Sequence, residues 1–329
     1  MENTDDNLES KVNNMILYYK DICEKEPNNV KAMVDFGIFY TQLGKHRDAV
    51  EIFKKALLIN SNDYSIWRLI GISYTKIKSY YNAIVHLEHA YELENNDYIS
   101  LNWLGNCYIE VGRYEEAVNV LNKSFMIAPR EYLNWRTLGI ALYNLNRLDE
   151  AIESFERSVE LNKYDYDSIN WLGLSYKEKG DYKKAIEFFN KVLEIENNNY
   201  SVYLNLAVCY FLSDDFDNSL IFLNKSLEMN DSDYLIYHYL GALSYKSKDY
   251  INAIEYLTKS ISINDKHVDS YNFLGLSYYF AGLYDNALYI LEKCLNIDDS
   301  NKEVYASLSD VYMALGYIDK SREALEKSK

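Results

Sequence analysis

A single 34-residue period runs through this chain from Val30 to the C-terminus without an insertion or deletion. When position 1 is set at Val30, all 12 glycines and both prolines fall on three positions of that period. Glycine occupies position 8 or position 15, and proline occupies position 32. Self-similarity at a fixed period is typical of a repeat array, in which each unit packs mainly on its neighbours. Such an array displays a long surface and usually lacks an active-site cavity.

Two sets of apolar positions in each repeat indicate two helices. Positions 4, 7, 8 and 11 lie three and four residues apart, which predicts a helix over about the first fourteen positions. Positions 20, 24 and 27 recur at the same spacing and predict a second helix, with small residues such as Ala185 where the two helices approach closely. Glycine at position 15 supplies the left-handed residue that ends the first helix. Each repeat is therefore predicted to form an antiparallel helix pair.

Short polar residues stand just before both predicted helices, where their side chains can accept hydrogen bonds from first-turn amides. At position 34, before the first helix, they are Asn29, Asp63, Asp97, Asp165, Asn199, Asp233 and Asn301. At position 16, before the second helix, they include Ser79, Asp181, Asp215 and Asp249. We expect these residues to act as N-caps.

The residues inside the period match a known pattern. In the fourth repeat, positions 4, 7, 8, 20 and 24 hold Trp135, Leu138, Gly139, Ala151 and Phe155. This pattern resembles the tetratricopeptide repeat, and the resemblance covers residues 30–329 as nine consecutive repeats, the last of 28 residues. Residues 1–29 hold an N-terminal half-repeat, expected to act as a cap. The resemblance implies an all-α fold, a right-handed superhelical solenoid of stacked antiparallel helix pairs that forms one domain.

Departures from the pattern are small in size. Ala207 and Ser309 replace glycine at position 8, and Ser219 and Ser321 replace alanine at position 20. Because all four side chains are short, we expect the close contact between the two helices to persist.

Composition limits the location and the class of partner. The four cysteines fall in distant repeats, so no disulfide is expected, and the polar, acidic N-terminus lacks a basic and apolar signal segment. Both features favour a reducing, cytoplasmic location. No apolar run approaches the roughly 20 residues of a membrane span, which predicts no membrane insertion. The net charge of −16 disfavours nucleic acid as a partner, because the summed field repels phosphate.

Motifs that carry chemistry are missing from the sequence. His86 and His89 lie three residues apart on a predicted helix, but the sequence offers no clear third ligand nearby, so we predict no metal site. The chain has no glycine-rich nucleotide motif, no nucleophile elbow and no CxxC pair. We therefore expect neither an enzyme nor a cofactor-binding protein.

The surface of the first helices carries the functional prediction. Positions 2, 5, 6, 9, 12 and 13 lie opposite the predicted core, and the family resemblance implies that they line a concave groove. Their side chains are mildly basic and polar in the early repeats and aromatic in repeats 6 to 8. The candidate groove residues are Arg68, Asn102, Trp103, Asn106, Arg136, Asn144, Asn170, Trp171, Phe211, Tyr239, Phe273, Tyr279 and Phe280.

Each chemical type on this surface has an expected role. Asparagines would pair with a peptide backbone, Arg68 and Arg136 with acidic groups, and the later aromatics with apolar anchors. The aromatic stretch of repeats 6 to 8 has a second interpretation, packing between repeats, and the sequence leaves both open. The asparagine and lysine clamp by which some relatives hold a chaperone carboxylate is not reproduced here.

Two functional hypotheses follow. The first is a non-catalytic scaffold that binds an extended or helical segment of a protein partner in the groove. The alternative is a structural assembly subunit that self-associates or docks through its ends or outer face. The sequence does not identify the partner.

Overall fold

A computed structural model describes the backbone of residues 2–329 and the side chains of residues 10–329. Within this range the secondary structure consists of 19 α-helices. They are α1 (Glu2–Lys25), α2 (Val30–Gln42), α3 (His46–Ile59), α4 (Tyr64–Lys76), α5 (Tyr80–Leu93), α6 (Tyr98–Glu110), α7 (Tyr114–Ile127), α8 (Tyr132–Asn144), α9 (Leu148–Leu161), α10 (Tyr166–Glu178), α11 (Tyr182–Ile195), α12 (Tyr200–Leu212), α13 (Phe216–Met229), α14 (Tyr234–Lys246), α15 (Tyr250–Ile263), α16 (Val268–Phe280), α17 (Tyr284–Leu295), α18 (Lys302–Ala314) and α19 (Ile318–Lys327).

The helices follow the sequence period. Every even-numbered helix begins at position 1 of a repeat, and every odd-numbered helix from α3 onward begins at position 17. We call these the first and second helices. Within the units, extensive contact joins the helix pairs α2 and α3, α4 and α5, α6 and α7, α8 and α9, α12 and α13, α14 and α15, α16 and α17, and α18 and α19. The all-α array of helix pairs expected from the sequence is therefore confirmed.

The chain divides into two compact units, Met1–Ser175 and Tyr176–Lys329, which we describe separately. The expectation of one continuous solenoid domain over residues 30–329 stays a prediction. None of the helices in the described range has the length and apolar character needed to span a bilayer.

Position 15 ends the first helix in all nine repeats. The five glycines found there have φ between 70° and 80°, and the other four residues adopt the same left-handed conformation. Those four are Lys78, Asn146, Asp214 and Lys248, with φ between 58° and 63°. Four repeats thus accept the cost of a side chain in this region, because the turn between the helices requires it.

Position 8 is where the two helices of a repeat approach most closely. A Cβ atom built on Gly139 would lie 2.5 Å from a ring carbon of Phe155, sixteen residues later. At the other described position-8 glycines the equivalent distance to position 24 is between 2.3 and 2.7 Å. A Cβ atom at such a distance would force the side chain at position 24 to shift, so glycine is favoured here by packing rather than by its backbone conformation.

The two repeats without glycine at position 8 also lack alanine at position 20. The hydroxyl of Ser219 donates a 2.9 Å hydrogen bond to the carbonyl of Ala207. The hydroxyl of Ser309 lies 3.0 Å from both the carbonyl oxygen and the hydroxyl of Ser321. Both changes therefore fall at one contact, where a buried hydrogen bond joins the helices.

The buried stripe of the first helices is wider than the apolar pattern predicts. Positions 3 and 10 are fully buried although they often carry small polar residues, as Ser100 and Cys107 show. Position 4 is buried at Met33, Leu101, Ile169 and Tyr271, but Trp67 and Trp135 are half-buried there and reach back to the preceding loop. The Trp67 indole donates to the Ser61 carbonyl at 2.8 Å, and the Trp135 indole donates to the Pro129 carbonyl at 3.1 Å. Hydrophobicity alone misplaced the stripe because positions 3 and 10 pack against neighbouring repeats through small side chains.

Most of the predicted caps are confirmed. The side chains of Asn29, Asp63, Asn199, Asp233 and Asn301 accept hydrogen bonds from first-turn amides of the first helices. Those of Asp181, Asp215 and Asp249 cap second helices in the same way. Ser79 and Asp97 make no such bond. Asp97 instead accepts a hydrogen bond from Arg68, on the first helix of its own repeat.

Candidate functional site

The candidate site is the surface formed by positions 2, 5, 6, 9, 12 and 13 of the first helices, which we call the first-helix face. One contact recurs along it, in which position 12 of one first helix touches position 6 of the next. In the first unit Tyr143 meets Trp171 at 5.1 Å between ring centroids. In the second unit the same contact joins Lys177 to Asn205, with Nζ donating to Oδ1 at 2.9 Å.

The asparagines of the third and fourth repeats are partly engaged within the protein. Asn102 donates to the Oδ1 atom of Asn134 at 2.8 Å, and Asn144 donates to the Ile140 carbonyl at 2.8 Å. Asn102 also lines an open cavity of about 180 Å³, together with Trp103, Asn106, Leu133, Arg136, Thr137 and Ile140. Lys76 lies 5.1 Å from the ring centroid of Trp103. This cavity brings together four of the predicted groove residues.

The two predicted groove arginines form ion pairs between repeats. The guanidinium of Arg68 donates to Asp97 at 2.8 Å, and the side chain of Asp97 is almost completely buried. Arg136 donates to Asp165 at 2.8 Å and to the exposed Asp167 at 2.7 Å. Each arginine therefore neutralises a buried carboxylate of its own chain. The sequence indicated a basic face, but the positive charges of both arginines are neutralised by carboxylates of the same chain.

Asn170 and Trp171 lie at the end of the first unit. The Oδ1 atom of Asn170 is buried and has no hydrogen-bond partner. The Trp171 ring stacks on Phe155 at 6.0 Å, in addition to its contact with Tyr143. Trp171 is thus part of the packing between helices as well as of the first-helix face.

The aromatic residues of the second unit also pack between repeats. Phe211 meets Tyr239 at 5.3 Å, and Tyr245 meets Phe273 at 5.4 Å, both in edge-to-face geometry. These are again contacts from position 12 to position 6. Phe280 at position 13 stacks on Tyr250 at 5.5 Å. The rings of this stretch therefore support inter-repeat packing, which was one of the two interpretations left open by the sequence.

These rings are not equally covered. Phe273 and Tyr279 are half-buried, whereas Phe280 keeps 51% of its surface exposed. Burial, followed by the nearby Asp269 carboxylate, raises the pKa of Tyr239 to about 12. The face thus offers accessible aromatic surface around Phe280, and the Asp269 carboxylate lies at the other end of the same helix. Packing between repeats covers part of the surface of each ring, and the remaining surface is accessible to a ligand.

Sequence reasoning missed a polar joint between repeats. In the first unit it consists of Arg136 at position 5, Asp165 at position 34, and Ser168 at position 3 of the next repeat. Arg136 and the Ser168 hydroxyl both donate to the Asp165 carboxylate. The hydroxyl of Ser158 on the second helix completes the joint, 2.9 Å from the Ser168 hydroxyl. The recurrence of serine at position 3 was the available signal, but an apolar pattern does not reveal it.

In the seventh repeat two histidines replace the ion pair of this joint. The Nδ1 atoms of His238 and His267 lie 3.0 and 2.7 Å from the Ser270 hydroxyl, which also contacts Ser260 at 2.9 Å. The two imidazole rings are 4.8 Å apart. Burial, followed by the neighbouring His267, lowers the pKa of His238 to about 3. Both rings are therefore neutral at physiological pH.

The other histidine pair packs on an aromatic ring. His86 and His89 lie 5.4 and 4.2 Å from the ring of Trp67, and His86 Nδ1 is 2.7 Å from the Asn82 carbonyl. Burial lowers the pKa of His86. Among the residues whose side chains are described, no group of three metal-ligating side chains comes together.

Comparisons with known proteins agree with this architecture. Family models described as tetratricopeptide repeat match residues 30–63, 136–201, 176–243, 235–267, 268–301 and 302–329. A model described as anaphase-promoting complex, cyclosome, subunit 3 matches residues 78–158. A comparison with curated protein sequences gives no match.

Solved structures resemble the fold at low sequence identity. A chain of the APC/C hetero-tetramer Cut9-Hcn1 has a TM-score of 0.60 at 15% identity, covering 91% of this chain and 72% of that one. A tetratricopeptide repeat protein from Parabacteroides merdae has a TM-score of 0.58 at 17% identity, covering 75% and 98%. YrrB, described as a TPR protein with an unusual peptide-binding site, has a TM-score of 0.50 at 22% identity, covering 57% and 97%. At these identities the likeness concerns the fold alone.

Proposed function

We infer the function from the premise that this chain belongs to the tetratricopeptide repeat family. Repeat arrays of this kind serve in general as scaffolds for protein–protein interaction, and the array supports that role here. Within it we assign a finer function, the binding of an extended or helical segment of a protein partner on the first-helix face. The role is non-catalytic, and its proposed location is the cytoplasm.

The observation that carries this proposal is the accessible aromatic surface of the second unit. Phe280 is 51% exposed although it lies within a run of packed rings, and Phe273 on the same helix face is half-buried, so part of its ring stays accessible. Aromatic side chains that are already held by neighbours lose little freedom when a ligand covers them. YrrB, which resembles this fold, is described as having an unusual peptide-binding site, and this supports a peptide segment as the class of ligand.

The test is a capture of partners by the whole chain and by two matched variants. Phe273→Ala with Phe280→Ala removes the aromatic surface of the first-helix face. Ile221→Ala with Ile251→Ala removes exposed apolar surface from second helices of the same unit. Circular dichroism confirms that both variants remain folded.

We expect the phenylalanine variant to lose the partners that the wild type captures, and the isoleucine variant to keep them. Each phenylalanine should contribute about 1 to 3 kcal/mol to the binding free energy, since buried aromatic anchors dominate interfaces. The reverse result, with partners lost only by the isoleucine variant, would favour the assembly-subunit alternative instead.

A further inference from the structure

The last two repeats combine exposed apolar side chains with carboxylates on one face. On α16, Asp269 precedes Phe273 by four residues, and Phe280 lies two turns further along. On α18, Asp310 precedes Met313 by three residues, and Glu303 lies at the start of the helix. Residues spaced in this way share one face of a helix. We call these six side chains the acidic–aromatic patch.

The two helices that carry the patch lie side by side. The hydroxyl of Ser307, at position 6 of α18, donates a 2.9 Å hydrogen bond to Asn272, at position 5 of α16. The faces of the two helices that carry the patch are therefore neighbours. Burial, followed by the nearby Asp269 carboxylate, raises the pKa of Tyr239 on the first helix of the preceding repeat.

The carboxylates of the patch have no ion-pair partner among the residues whose side chains are described. Asp269, Glu303 and Asp310 are all exposed, and none lies within ion-pair distance of a cation among residues 10–329. This contrasts with exposed acids elsewhere, such as Glu187 and Glu323, which pair with lysines one turn away. Lys246 is the only lysine or arginine at first-helix-face positions in repeats 6 to 9. The patch is thus a negative surface whose charge is not neutralised locally.

The apolar part of the patch is only partly covered by neighbouring rings. Phe280 is 51% exposed and Met313 is 56% exposed. Apolar side chains that share a helix face with unpaired carboxylates fit a ligand of the opposite charge, in which apolar residues are flanked by cations. An acidic ligand is disfavoured, because it would face these carboxylates while Arg68 and Arg136 are already paired with buried aspartates.

We propose that the acidic–aromatic patch binds a segment of a protein partner in which lysine or arginine side chains flank large apolar residues. This inference rests on the proposed function, because it specifies the chemistry of a ligand on the same face. It replaces the acidic ligand expected from the sequence with a basic one. Cationic side chains pair with Asp269, Glu303 and Asp310, while apolar side chains cover Phe280 and Met313.

The test begins with a displayed library of random peptides about 16 residues long, selected against the whole chain. We expect the enriched peptides to carry lysine or arginine beside leucine or aromatic residues. The affinity of a synthetic copy of an enriched peptide is then measured by fluorescence anisotropy. Enrichment of neutral or acidic peptides that still require Phe273 and Phe280 would overturn the inference and leave the proposed function intact.

Two variants distinguish the effect of the patch carboxylates on binding from the effect of the net negative charge of the protein. The patch variant is Asp269→Asn, Glu303→Gln and Asp310→Asn. The matched control is Glu194→Gln, Glu228→Gln and Glu255→Gln, which removes the same charge from exposed positions on second helices. We expect the patch variant to weaken binding of the basic peptide roughly tenfold, and the control to weaken it less than about twofold.

Other outcomes contradict the inference in distinct ways. Equal weakening by both triple variants would mean that the peptide senses only the net charge of −16. A peptide whose affinity survives both triple variants and also Phe273→Ala with Phe280→Ala binds elsewhere, which would overturn the proposed function as well. Failure of the selection to enrich any peptide would also overturn both the inference and the proposed function.

Discussion

At the scale of single residues, two positions of the repeat carry most of the structural information. Position 8 is glycine because the side chain at position 24 occupies the space of a Cβ atom. Position 15 is left-handed in every repeat, and glycine is preferred there without being required. The first constraint comes from packing and the second from backbone conformation. Substitutions at the two positions should therefore have costs of different origin and size.

Gly139→Leu should destabilise the fold by about 2 kcal/mol or more, because a leucine cannot enter the contact with Phe155 without displacing the second helix. The measurement is the free energy of unfolding from a denaturant titration. The exposed Asn122→Leu serves as control and should change stability by less than about 0.5 kcal/mol. Equal stability of the two variants would refute the contact described at position 8.

Zinc should not bind specifically at His86 and His89. The Nδ1 atom of His86 is engaged by the Asn82 carbonyl, and both rings lie against Trp67. Titration calorimetry with zinc chloride should show no stoichiometric binding that His86→Ala removes. A one-to-one isotherm abolished by that substitution would prove this wrong.

At the scale of elements, adjacent repeats are joined by side chains that the apolar pattern does not reveal. The first helices touch through position 12 and position 6, and a polar joint connects position 5 to positions 34 and 3. The joint takes two chemical forms, an arginine with aspartate in repeat 4 and two histidines in repeat 7. The stability that the ionic form provides should not change in mild acid. The stability that the imidazole form provides should fall as the pH falls.

Arg136→Ala should destabilise the first unit by about 3 kcal/mol, because it leaves the Asp165 carboxylate, 6% exposed, without its cation. Thermal unfolding measures the loss. The matched control Arg130→Ala removes an exposed arginine near the same helix and should cost less than about 0.5 kcal/mol. A stability equal to that of the control would mean that the ion pair does not hold the joint.

The histidine joint should make stability depend on pH. The pKa of His238 is lowered from 6.5 to about 3 in the folded state, so the unfolded chain binds the proton more readily between those values. Stability is therefore lost as the pH falls below about 6.5, by up to about 1.4 kcal/mol per pH unit for this one residue. The free energy of unfolding is measured at about pH 7 and about pH 5.5. Carboxylates titrate mostly below this interval and therefore contribute little to the difference.

A graft of the ionic joint provides the control. His238→Arg with His267→Asp reproduces Arg136 and Asp165 in a repeat that already carries Asp269 and Ser270 in the places of Asp167 and Ser168. The formal net charge at neutral pH does not change. We expect the grafted protein to lose much less stability than the wild type over the same pH interval. Identical pH profiles of the two proteins would show that the histidine joint does not cause the pH dependence of stability.

At the scale of the whole molecule, charge and exposed aromatic surface decide what the protein can bind. The chain carries a net charge of −16, and much of it comes from exposed acids. Several of these are balanced by lysine or arginine within one turn of the same helix, as in the pair of Arg147 with Glu150. The patch on the last two repeats is not balanced in this way, which is why its ligand is expected to be basic.

Added salt should stabilise the folded chain, because it screens the repulsion among an excess of negative charges. Raising sodium chloride from about 20 to about 300 mM should raise the midpoint of thermal unfolding by a few degrees. The variant Glu194→Lys with Glu255→Lys has a lower net negative charge and should show a smaller increase. A fall in the midpoint would mean that surface ion pairs outweigh the general repulsion.

The sequence by itself determined the periodic part of this protein. The spacing of glycines, alanines and apolar residues predicted the helix pairs and their boundaries, since these depend on local backbone preferences and on contacts at a constant separation along the chain. Only the tertiary structure decided which polar side chains were free. Arg68 and Arg136 read as ligand-binding residues because their partners, Asp97 and Asp165, were assigned to capping. The aromatic rings of repeats 6 to 8 serve both packing and surface, because one side chain can touch a neighbouring helix with one edge and solvent with the other. Such contacts depend on how adjacent helices align across a repeat boundary, and residue type alone does not specify that alignment.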